Sequence, residues 1–199
     1  MPEITWADEF LPLLLRPSFT PLNVKSVLDV GCGRGILGCL LRVYRDVDFV
    51  VGIDIFRPYL DFARTHSAYD ALIHMDLSRT GLPFSDREFD MVFCLEVMEH
   101  LERERGLSLL DELERVGSRI VVTTPGVFFS QAQFDSNPNQ AHMSYYDVRD
   151  FERRGYRVFG VGSLRLLSRC APAVAGVLGS LSYHFPRSSS TILALRDTP

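Results

Sequence analysis

The chain has 199 residues, of which 46% are hydrophobic, 23% charged and 11% aromatic, and its formal net charge is −4. This length suits one domain with a substantial core, and the composition excludes disordered and fibrous proteins. The acidic balance disfavours a nucleic-acid partner, because a protein that contacts phosphates along a nucleic acid is usually basic.

The N-terminal residues 1–25 do not have the pattern of a secretion signal, because no basic segment precedes an apolar run. Trp6, Phe10 and Leu13–Leu15 are compatible with an N-terminal lid helix, and packing against the domain is the alternative. No stretch has the roughly 20 consecutive apolar residues of a membrane span. None of the four cysteines has metal-binding spacing. We therefore expect a reduced, cytoplasmic protein without a metal site.

Short apolar runs rich in valine and isoleucine alternate with helix-like stretches over residues 26–124. The predicted strands are Ser26–Val30, Phe49–Ile53, Ala71–Met75, Phe89–Leu95 and Arg119–Thr124. The predicted helices between them are Ile36–Arg45, Pro58–Ser67 and Glu104–Val116. This alternation predicts a Rossmann-like, doubly wound α/β fold with a mostly parallel sheet and helices on both faces.

Residues 125–199 have a different character. Pro125–Tyr146 is rich in proline, asparagine and glutamine and predicts a long loop, of the kind that is functional or disordered in a compact domain. A short helix, Asp147–Arg153, and two strands, Tyr156–Val161 and Ser190–Leu195, follow. Leu164–Phe185 is apolar and lacks acidic residues, which favours a hydrophobic extension packed on the sheet or at a dimer contact. A flap that touches an apolar acceptor or a membrane surface is the alternative.

No linker marks a domain boundary, so we expect residues 1–199 to form a single domain. In this division, residues 1–25 are a lid, residues 26–124 are a cofactor-binding core, and residues 125–199 are an acceptor-side loop with the last strands.

The most informative segment is a glycine-rich turn directly after the first predicted strand. The sequence over residues 27–35 is VLDVGCGRG, so that a buried strand leads into Gly31, Gly33 and Gly35 and then into a helix. Glycine is required where a chain turns sharply or a ligand approaches the backbone closely, and the start of a helix offers unpaired N–H groups. The turn therefore predicts a cofactor site.

Two carboxylates near strand ends strengthen this prediction. Asp54 follows the second strand and Asp76 follows the third, and in this topology adjacent strand ends line one crevice. Asp54 can accept both hydroxyls of a ribose, and Asp76 can accept an amino proton of an adenine ring. For each of them, a helix cap or turn residue is the alternative.

The pattern of the turn argues against a dinucleotide. A dinucleotide fingerprint is G-x-G-x-x-G, whereas Ile36 occupies its last position here. Asp29, two residues before the first glycine, would repel a pyrophosphate and would suit a cofactor that carries an ammonium group.

The motifs VLDVGCGRG, VGIDI, HMDL and FDMVFCLEVMEHL, in this order and spacing, resemble those of class I S-adenosylmethionine-dependent methyltransferases. The resemblance covers most of residues 26–124 and implies a seven-stranded sheet with an antiparallel last strand. It implies S-adenosylmethionine as the cofactor and the following residues around it: Asp29, Gly31, Cys32, Gly33 and Gly35 at the methionine part, Asp54 at the ribose, Ile55, Asp76 and Leu77 at the adenine, and Leu95 and Glu96 at the sulfonium. We interpret Cys32 as a small residue of the turn rather than a nucleophile.

Methyl transfer from a sulfonium requires alignment of the acceptor, and a general base only if the acceptor is a poor nucleophile such as an alcohol. His100, in the E-x-x-E-H stretch after the fourth strand, and His142, in the long loop, are the candidate bases or acceptor-binding residues. The alternatives are that His100 orients the next helix and that His142 and Tyr146 merely fix the loop to the domain.

The polar loop suits a hydroxylated acceptor, either a small molecule or a saccharide. Its N-P-x-Q-x-H-x-S stretch over residues 137–144 resembles methyltransferases found among polysaccharide-building enzymes. The chain lacks the [DN]-P-P-[YF] motif of amino-methylating DNA enzymes. A nicotinamide-dependent oxidoreductase and a non-catalytic cofactor-binding protein of the same fold remain as alternative functions.

Overall fold

The computed structural model describes residues 16–66, 68–79, 81–127, 136–164 and 183–198. These residues form a seven-stranded sheet whose order is β3-β2-β1-β4-β5-β7-β6. The strands are β1 (Ser26–Val30), β2 (Phe49–Asp54), β3 (Ala71–His74), β4 (Phe89–Leu95), β5 (Gly117–Pro125), β6 (Arg157–Leu164) and β7 (Ser189–Asp197). The helices are α1 (Ile36–Tyr44), α2 (Arg57–His66), α3 (Arg103–Val116) and α4 (Val148–Glu152), with 3₁₀ turns at Met98–His100, Pro138–Gln140 and Pro186–Ser188.

The strand directions confirm the predicted fold class. The strands from β3 to β5 pair in parallel, whereas β7 runs antiparallel to both β5 and β6. The structure contains each predicted strand and each predicted helix of residues 26–124, with ends that move by a few residues. For example, β5 begins at Gly117, two residues before the predicted start at Arg119. The chain passes from α3, which ends at Val116, into this strand without a loop.

Two hydrophobic clusters cover the two faces of the sheet. Leu28 of β1 packs in the cluster that contains Leu110 and Leu113 of α3. The neighbouring Val27 packs in the second cluster, together with Leu41 of α1. Because successive side chains of a strand point to opposite faces, this alternation places β1 between two helical layers. Truncation of such a buried leucine to alanine costs about 2–5 kcal/mol.

The parallel strands place their carboxyl ends at one edge of the sheet. This edge therefore carries the turn after β1, Asp54 at the end of β2, and the E-x-x-E-H stretch after β4. The predicted lid helix falls largely in residues 1–15, which lie outside the described residues. So do residues 128–135 of the predicted loop and residues 165–182, which make up most of the hydrophobic extension. Within the described ranges, no helix has the length and apolar character needed to cross a membrane.

Candidate active site

The glycine turn after β1 is closed on one side and open on the other. Gly31, Gly33 and Gly35 all have positive φ angles, of 77°, 53° and 88°. A Cβ on Gly31 would lie 2.2 Å from Cγ2 of Val97, whereas a Cβ on Gly33 would meet nothing within 4 Å. The turn is therefore packed against Val97 at its first glycine and leaves space beside its second. This space is where a ligand can approach the backbone.

Backbone hydrogen bonds attach the turn to the end of β2. The N–H groups of Gly31 and Cys32 donate to the carbonyl oxygen of Ile53 over 2.8 and 2.9 Å. The N–H of Gly33 donates to Oδ2 of Asp54 over 2.8 Å. The turn and the predicted ribose-binding carboxylate thus form one unit.

Asp54 is buried, with 8% of its surface exposed, and both of its carboxylate oxygens accept hydrogen bonds. Besides the bond from Gly33, its Oδ1 accepts a hydrogen bond from the N–H of Phe56 over 2.7 Å. Burial raises the pKa of Asp54, and the hydrogen bonds from these backbone N–H groups oppose this effect. Each oxygen can still accept a further hydrogen bond, because a carboxylate offers about four lone-pair sites.

The sequence analysis missed Tyr69, which contacts Asp29. The Tyr69 hydroxyl donates to Oδ2 of Asp29 and accepts a hydrogen bond from the N–H of Gly38 over 3.2 Å. Gly38 and Gly52 make room for the ring, since a Cβ at either position would lie within 3.0 Å of it. Tyr69 therefore joins Asp29 to the first turn of α1. In the sequence, only Gly38 and Gly52 could have indicated that a large side chain packs at this place.

Asp29 has an unusual affinity for protons. Burial raises its pKa to about 7, the hydrogen bond from Tyr69 opposes this, and the nearby Asp54 carboxylate adds to it. Burial also raises the pKa of the Cys32 thiol, with further increases from Asp29 and Asp54. Cys32 is therefore a protonated, buried thiol, in agreement with its interpretation as a small residue of the turn.

Asp76 behaves as a turn residue in this structure. Its Oδ1 accepts hydrogen bonds from the N–H and the hydroxyl of Ser78, over 2.9 and 2.6 Å. Its Oδ2 lies 3.0 Å from Nε of Arg79. These contacts fit the turn alternative, so adenine contact by the Asp76 side chain stays a prediction. The neighbouring Leu77 is buried, and the carbonyl of Ile55 lies 2.8 Å from Nε2 of His74.

The end of β4, where Leu95 is followed by Glu96, has a strained backbone and two buried carboxyl groups. Glu96 has a φ angle of 54°, which a residue other than glycine seldom adopts. Burial raises the pKa of the Glu96 carboxyl group to about 7, and the neighbouring Thr123 and Glu99 side chains oppose this effect. Burial also raises the pKa of Glu99 well above its usual range, and the Glu96 carboxylate adds to this. Such pairs of buried, interacting carboxyl groups are concentrated at functional sites.

The loop before α4 brings the two predicted histidines together. The rings of His100 and His142 have centroids 5.1 Å apart. The N–H groups of Met143 and Ser144 donate to the carbonyl of Glu99 over 2.7 and 3.1 Å, which fixes the loop on the E-x-x-E-H stretch. Burial lowers the pKa of His100, and the neighbouring His142 also lowers it. His100 is therefore neutral near pH 7 and can accept a proton or hold a ligand.

Tyr146 fixes this loop to the domain, as one of the alternatives predicted. Its ring is fully buried, and its hydroxyl donates to the carbonyl of Met98 over 3.4 Å and accepts from the hydroxyl of Ser144 over 3.1 Å. Gly106 of α3 makes this possible, because a Cβ there would lie 1.9 Å from the Tyr146 oxygen. His142 does not share this buried position, since it is only half-buried.

The fold and the site together define a class of protein. The seven-stranded sheet with antiparallel β7, the glycine turn after β1 and the carboxylate at the end of β2 are the features of a class I methyltransferase that takes S-adenosylmethionine. Residues 28–119 match the family described as methyltransferase domain. Over this segment the chain is similar to methyltransferase domains, in agreement with the fold and the site.

Individual proteins agree with this assignment. An uncharacterized methyltransferase of Mycobacterium tuberculosis (strain ATCC 25618 / H37Rv) is 34% identical over 113 residues, which cover 55% of this chain and 55% of that protein. A ubiquinone biosynthesis O-methyltransferase of Neisseria meningitidis serogroup C is 39% identical over 88 residues, or 40% of this chain and 35% of that one. The chain thus spans only about half, or less, of the length of these relatives.

The fold extends over nearly the whole chain. The crystal structure of a methyltransferase from Archaeoglobus fulgidus, described as dependent on S-adenosylmethionine, superposes with a TM-score of 0.64. It is 18% identical and covers 96% of this chain and 94% of that one. At this identity the likeness supports the fold alone.

Proposed function

We propose that this chain binds S-adenosylmethionine at the carboxyl edge of its sheet and transfers the methyl group to a hydroxylated small molecule. One observation carries the cofactor part of the proposal. Gly33 donates its N–H to Asp54 and leaves the space beside its Cα open, so a ribose could rest on the carboxylate while the rest of the cofactor follows the turn. The domain family supports the same cofactor.

The charges of the site suit the methionine part of this cofactor. Asp29 lies within the protein at the start of the turn, and Glu96 lies at the end of the neighbouring strand β4. A ligand that carries an ammonium and a sulfonium would compensate the cost of ionising such buried carboxyl groups. A pyrophosphate would increase that cost, which argues against the nicotinamide-dependent alternative.

The acceptor side is supported by polar groups beyond the end of β4. Glu99, His100 and His142 lie together there, with one ligand atom of each within 4.8 Å of the others. We infer that His142 and His100 bind the acceptor hydroxyl or remove its proton. Relatives named as ubiquinone biosynthesis O-methyltransferases favour a hydroxylated small molecule over a saccharide as the acceptor. A cytoplasmic location stays a prediction, with which the free thiols of Cys32, Cys39 and Cys94 are compatible.

A methyl-transfer assay tests this function. The purified chain is incubated with S-adenosylmethionine labelled in the methyl group and with a small-molecule extract of cells, and the label in extracted products is counted. We expect label transfer by the wild type and by Asp61→Ala, whose carboxylate pairs with Arg64 on the exposed face of α2. We expect loss of transfer by Asp54→Ala, because the ribose contact is removed.

The outcomes distinguish the alternatives. Binding of S-adenosylhomocysteine without any transfer of label would favour a non-catalytic cofactor-binding protein. Quenching or enhancement of NADH fluorescence by the chain, without binding of S-adenosylhomocysteine, would favour the oxidoreductase. Equal transfer by wild type and Asp54→Ala would contradict the proposed role of Asp54.

A further inference from the structure

We propose that Glu99, His100 and His142 form a binding site for one divalent transition-metal ion, of the kind represented by Mn²⁺ and Zn²⁺. A carboxylate oxygen of Glu99 and one ring nitrogen of each histidine all lie within 4.8 Å of one another. Ligands that surround one ion at about 2 Å lie about 3–4 Å apart, so small side-chain rotations bring these atoms into range. One carboxylate and two imidazoles are a ligand set that such ions accept.

His100 already has the orientation of a metal ligand. Its Nδ1 lies 3.2 Å from the carbonyl oxygen of Ala141. A carbonyl oxygen only accepts hydrogen bonds, so Nδ1 carries the proton and Nε2 keeps its lone pair. Histidines that bind metals typically donate their second ring nitrogen to a backbone carbonyl in this way, which fixes the ring and its tautomer.

Glu99 presents an unsatisfied acceptor inside the protein. Only 2% of the residue is exposed. Its Oε2 accepts a hydrogen bond from the hydroxyl of Thr124 over 3.3 Å, but its Oε1 has no partner among the described residues. Oε1 of the adjacent Glu96 is buried and also lacks a partner within that part of the chain. Two buried carboxyl groups with unused oxygens are costly unless a cation compensates them.

The backbone holds the third ligand in place. His142 precedes Met143 and Ser144, whose N–H groups donate to the carbonyl oxygen of Glu99. The loop that carries His142 is thus fastened to the residue that supplies the carboxylate. This long-range attachment explains why sequence spacing did not indicate a metal site: the histidines belong to separate segments of the chain.

The ion would have a role in the proposed reaction, and this part of the inference rests on the proposed function. An acceptor hydroxyl bound to the ion has a lowered pKa and releases its proton to solvent. The oxygen then forms a bond to the methyl carbon while the S–CH₃ bond breaks, and the electron pair of that bond stays on sulfur. In this arrangement the two histidines bind the acceptor hydroxyl through the ion, and the lowered pKa of the bound hydroxyl replaces direct proton removal by a ring nitrogen.

Metal binding can be measured independently of methyl transfer. The full chain is freed of metal with a chelator, dialysed, and titrated with Mn²⁺ while the electron paramagnetic resonance signal of the free ion is recorded; Zn²⁺ is tested by its effect on Tm. We expect one Mn²⁺ per wild-type chain and a rise in Tm with Zn²⁺. The variants His142→Gln and Glu99→Gln should bind at least about tenfold more weakly. His66→Gln, an exposed histidine stacked on Phe62, is the matched control and should bind like the wild type.

Binding of S-adenosylhomocysteine is measured on the same samples. If the chain binds this ligand but no metal, or if His142→Gln binds Mn²⁺ as tightly as the wild type, the metal site is wrong and the proposed function stands. If the chain binds metal through these residues but never binds S-adenosylhomocysteine, the metal site stands and the proposed function is wrong. Retained S-adenosylhomocysteine binding also shows that a variant is folded.

Discussion

The hydroxyl of Tyr69 donates a hydrogen bond to the carboxylate of Asp29, and the same oxygen accepts one from the backbone N–H of Gly38 in α1. Tyr69 follows α2, so this contact connects two segments that are distant in sequence. The hydroxyl thereby satisfies a buried carboxylate and an N–H of the first helical turn that has no partner within the helix.

Removal of this hydroxyl should destabilise the fold. Tyr69→Phe leaves Asp29 without its hydroxyl donor and the N–H of Gly38 without its acceptor, and an unsatisfied buried polar group costs about 1–3 kcal/mol. Urea unfolding measures the change. Tyr44→Phe, at a tyrosine that is 60% exposed, is the control and should alter stability by less than about 0.5 kcal/mol. An equal effect of the two substitutions would mean that the Tyr69 hydroxyl contributes nothing.

The raised pKa of Asp29 predicts a pH dependence of stability. Its pKa is about 7 in the fold, against 3.8 for an exposed aspartate, so the folded chain binds a proton that the unfolded chain releases between these values. The free energy of unfolding without ligand should therefore fall as pH rises from about 4 to about 7. Asp29→Asn cannot ionise and should reduce this slope. A slope as steep in Asp29→Asn as in the wild type would rule out Asp29 as its source.

Cofactor binding should also be coupled to this proton. A ligand with an ammonium group favours the ionised form of Asp29, so binding below pH 7 should release a proton. The affinity for S-adenosylhomocysteine should then weaken by roughly tenfold per pH unit below the pKa. Calorimetry in two buffers with different ionisation enthalpies counts the released protons. Proton uptake, or no exchange at pH 6, would contradict an ionised Asp29 in the complex.

Two glycines allow a separation of backbone strain from ligand contact. Gly33 and Gly155 have positive φ angles of 53° and 81°, and a Cβ at either would meet no atom within 4 Å. Substitution of either glycine by alanine should lower the free energy of unfolding by about 1–2 kcal/mol, because a residue with a Cβ is strained in the left-handed conformation. Only Gly33→Ala should weaken the binding of S-adenosylhomocysteine, measured by calorimetry. Similar losses of affinity in Gly155→Ala would indicate that strain alone explains the effect.

The packing of Tyr146 against α3 predicts a large effect at Gly106. An alanine there would overlap the tyrosine hydroxyl, since the Cβ would lie 1.9 Å from that oxygen. We expect Gly106→Ala to destabilise the fold by about 1–3 kcal/mol, because extra volume in a packed core displaces its neighbours. Ser108→Ala, on the exposed side of the same helix, should be neutral or slightly stabilising in urea unfolding. A neutral Gly106→Ala would show that Tyr146 does not need its buried position.

Local patterns were enough to predict where the glycine turn and Asp54 lie in the fold, and their contacts with the cofactor stay a prediction. The strand, the three glycines and Asp54 are close in sequence, and the parallel topology alone brings the ends of β1 and β2 together. Asp76 was harder to assign, because an aspartate after a strand suits both a turn and a ligand. The contacts with Ser78 and Arg79 favour the turn for its side chain.

The sequence patterns did not predict the long-range contacts of the site. Tyr69 occupies a space left by Gly38 and Gly52, and neither glycine belongs to a motif. The attachment of the His142 loop to Glu99 depends on backbone hydrogen bonds, which leave no trace in residue types. The strained Glu96 is likewise invisible in the sequence, since its φ angle follows from how β4 ends beside Thr123.

The central claim is that the glycine turn and Asp54 hold the nucleoside of S-adenosylmethionine. Isothermal titration of the purified chain with S-adenosylhomocysteine at pH 8 tests it most directly. The account predicts one binding site per chain and, in Asp54→Asn, an affinity lower by about 10-fold or more, since hydrogen bonds to a charged group contribute about 1.5–3 kcal/mol. Absence of binding to the folded wild type, or unchanged affinity in Asp54→Asn, would contradict it.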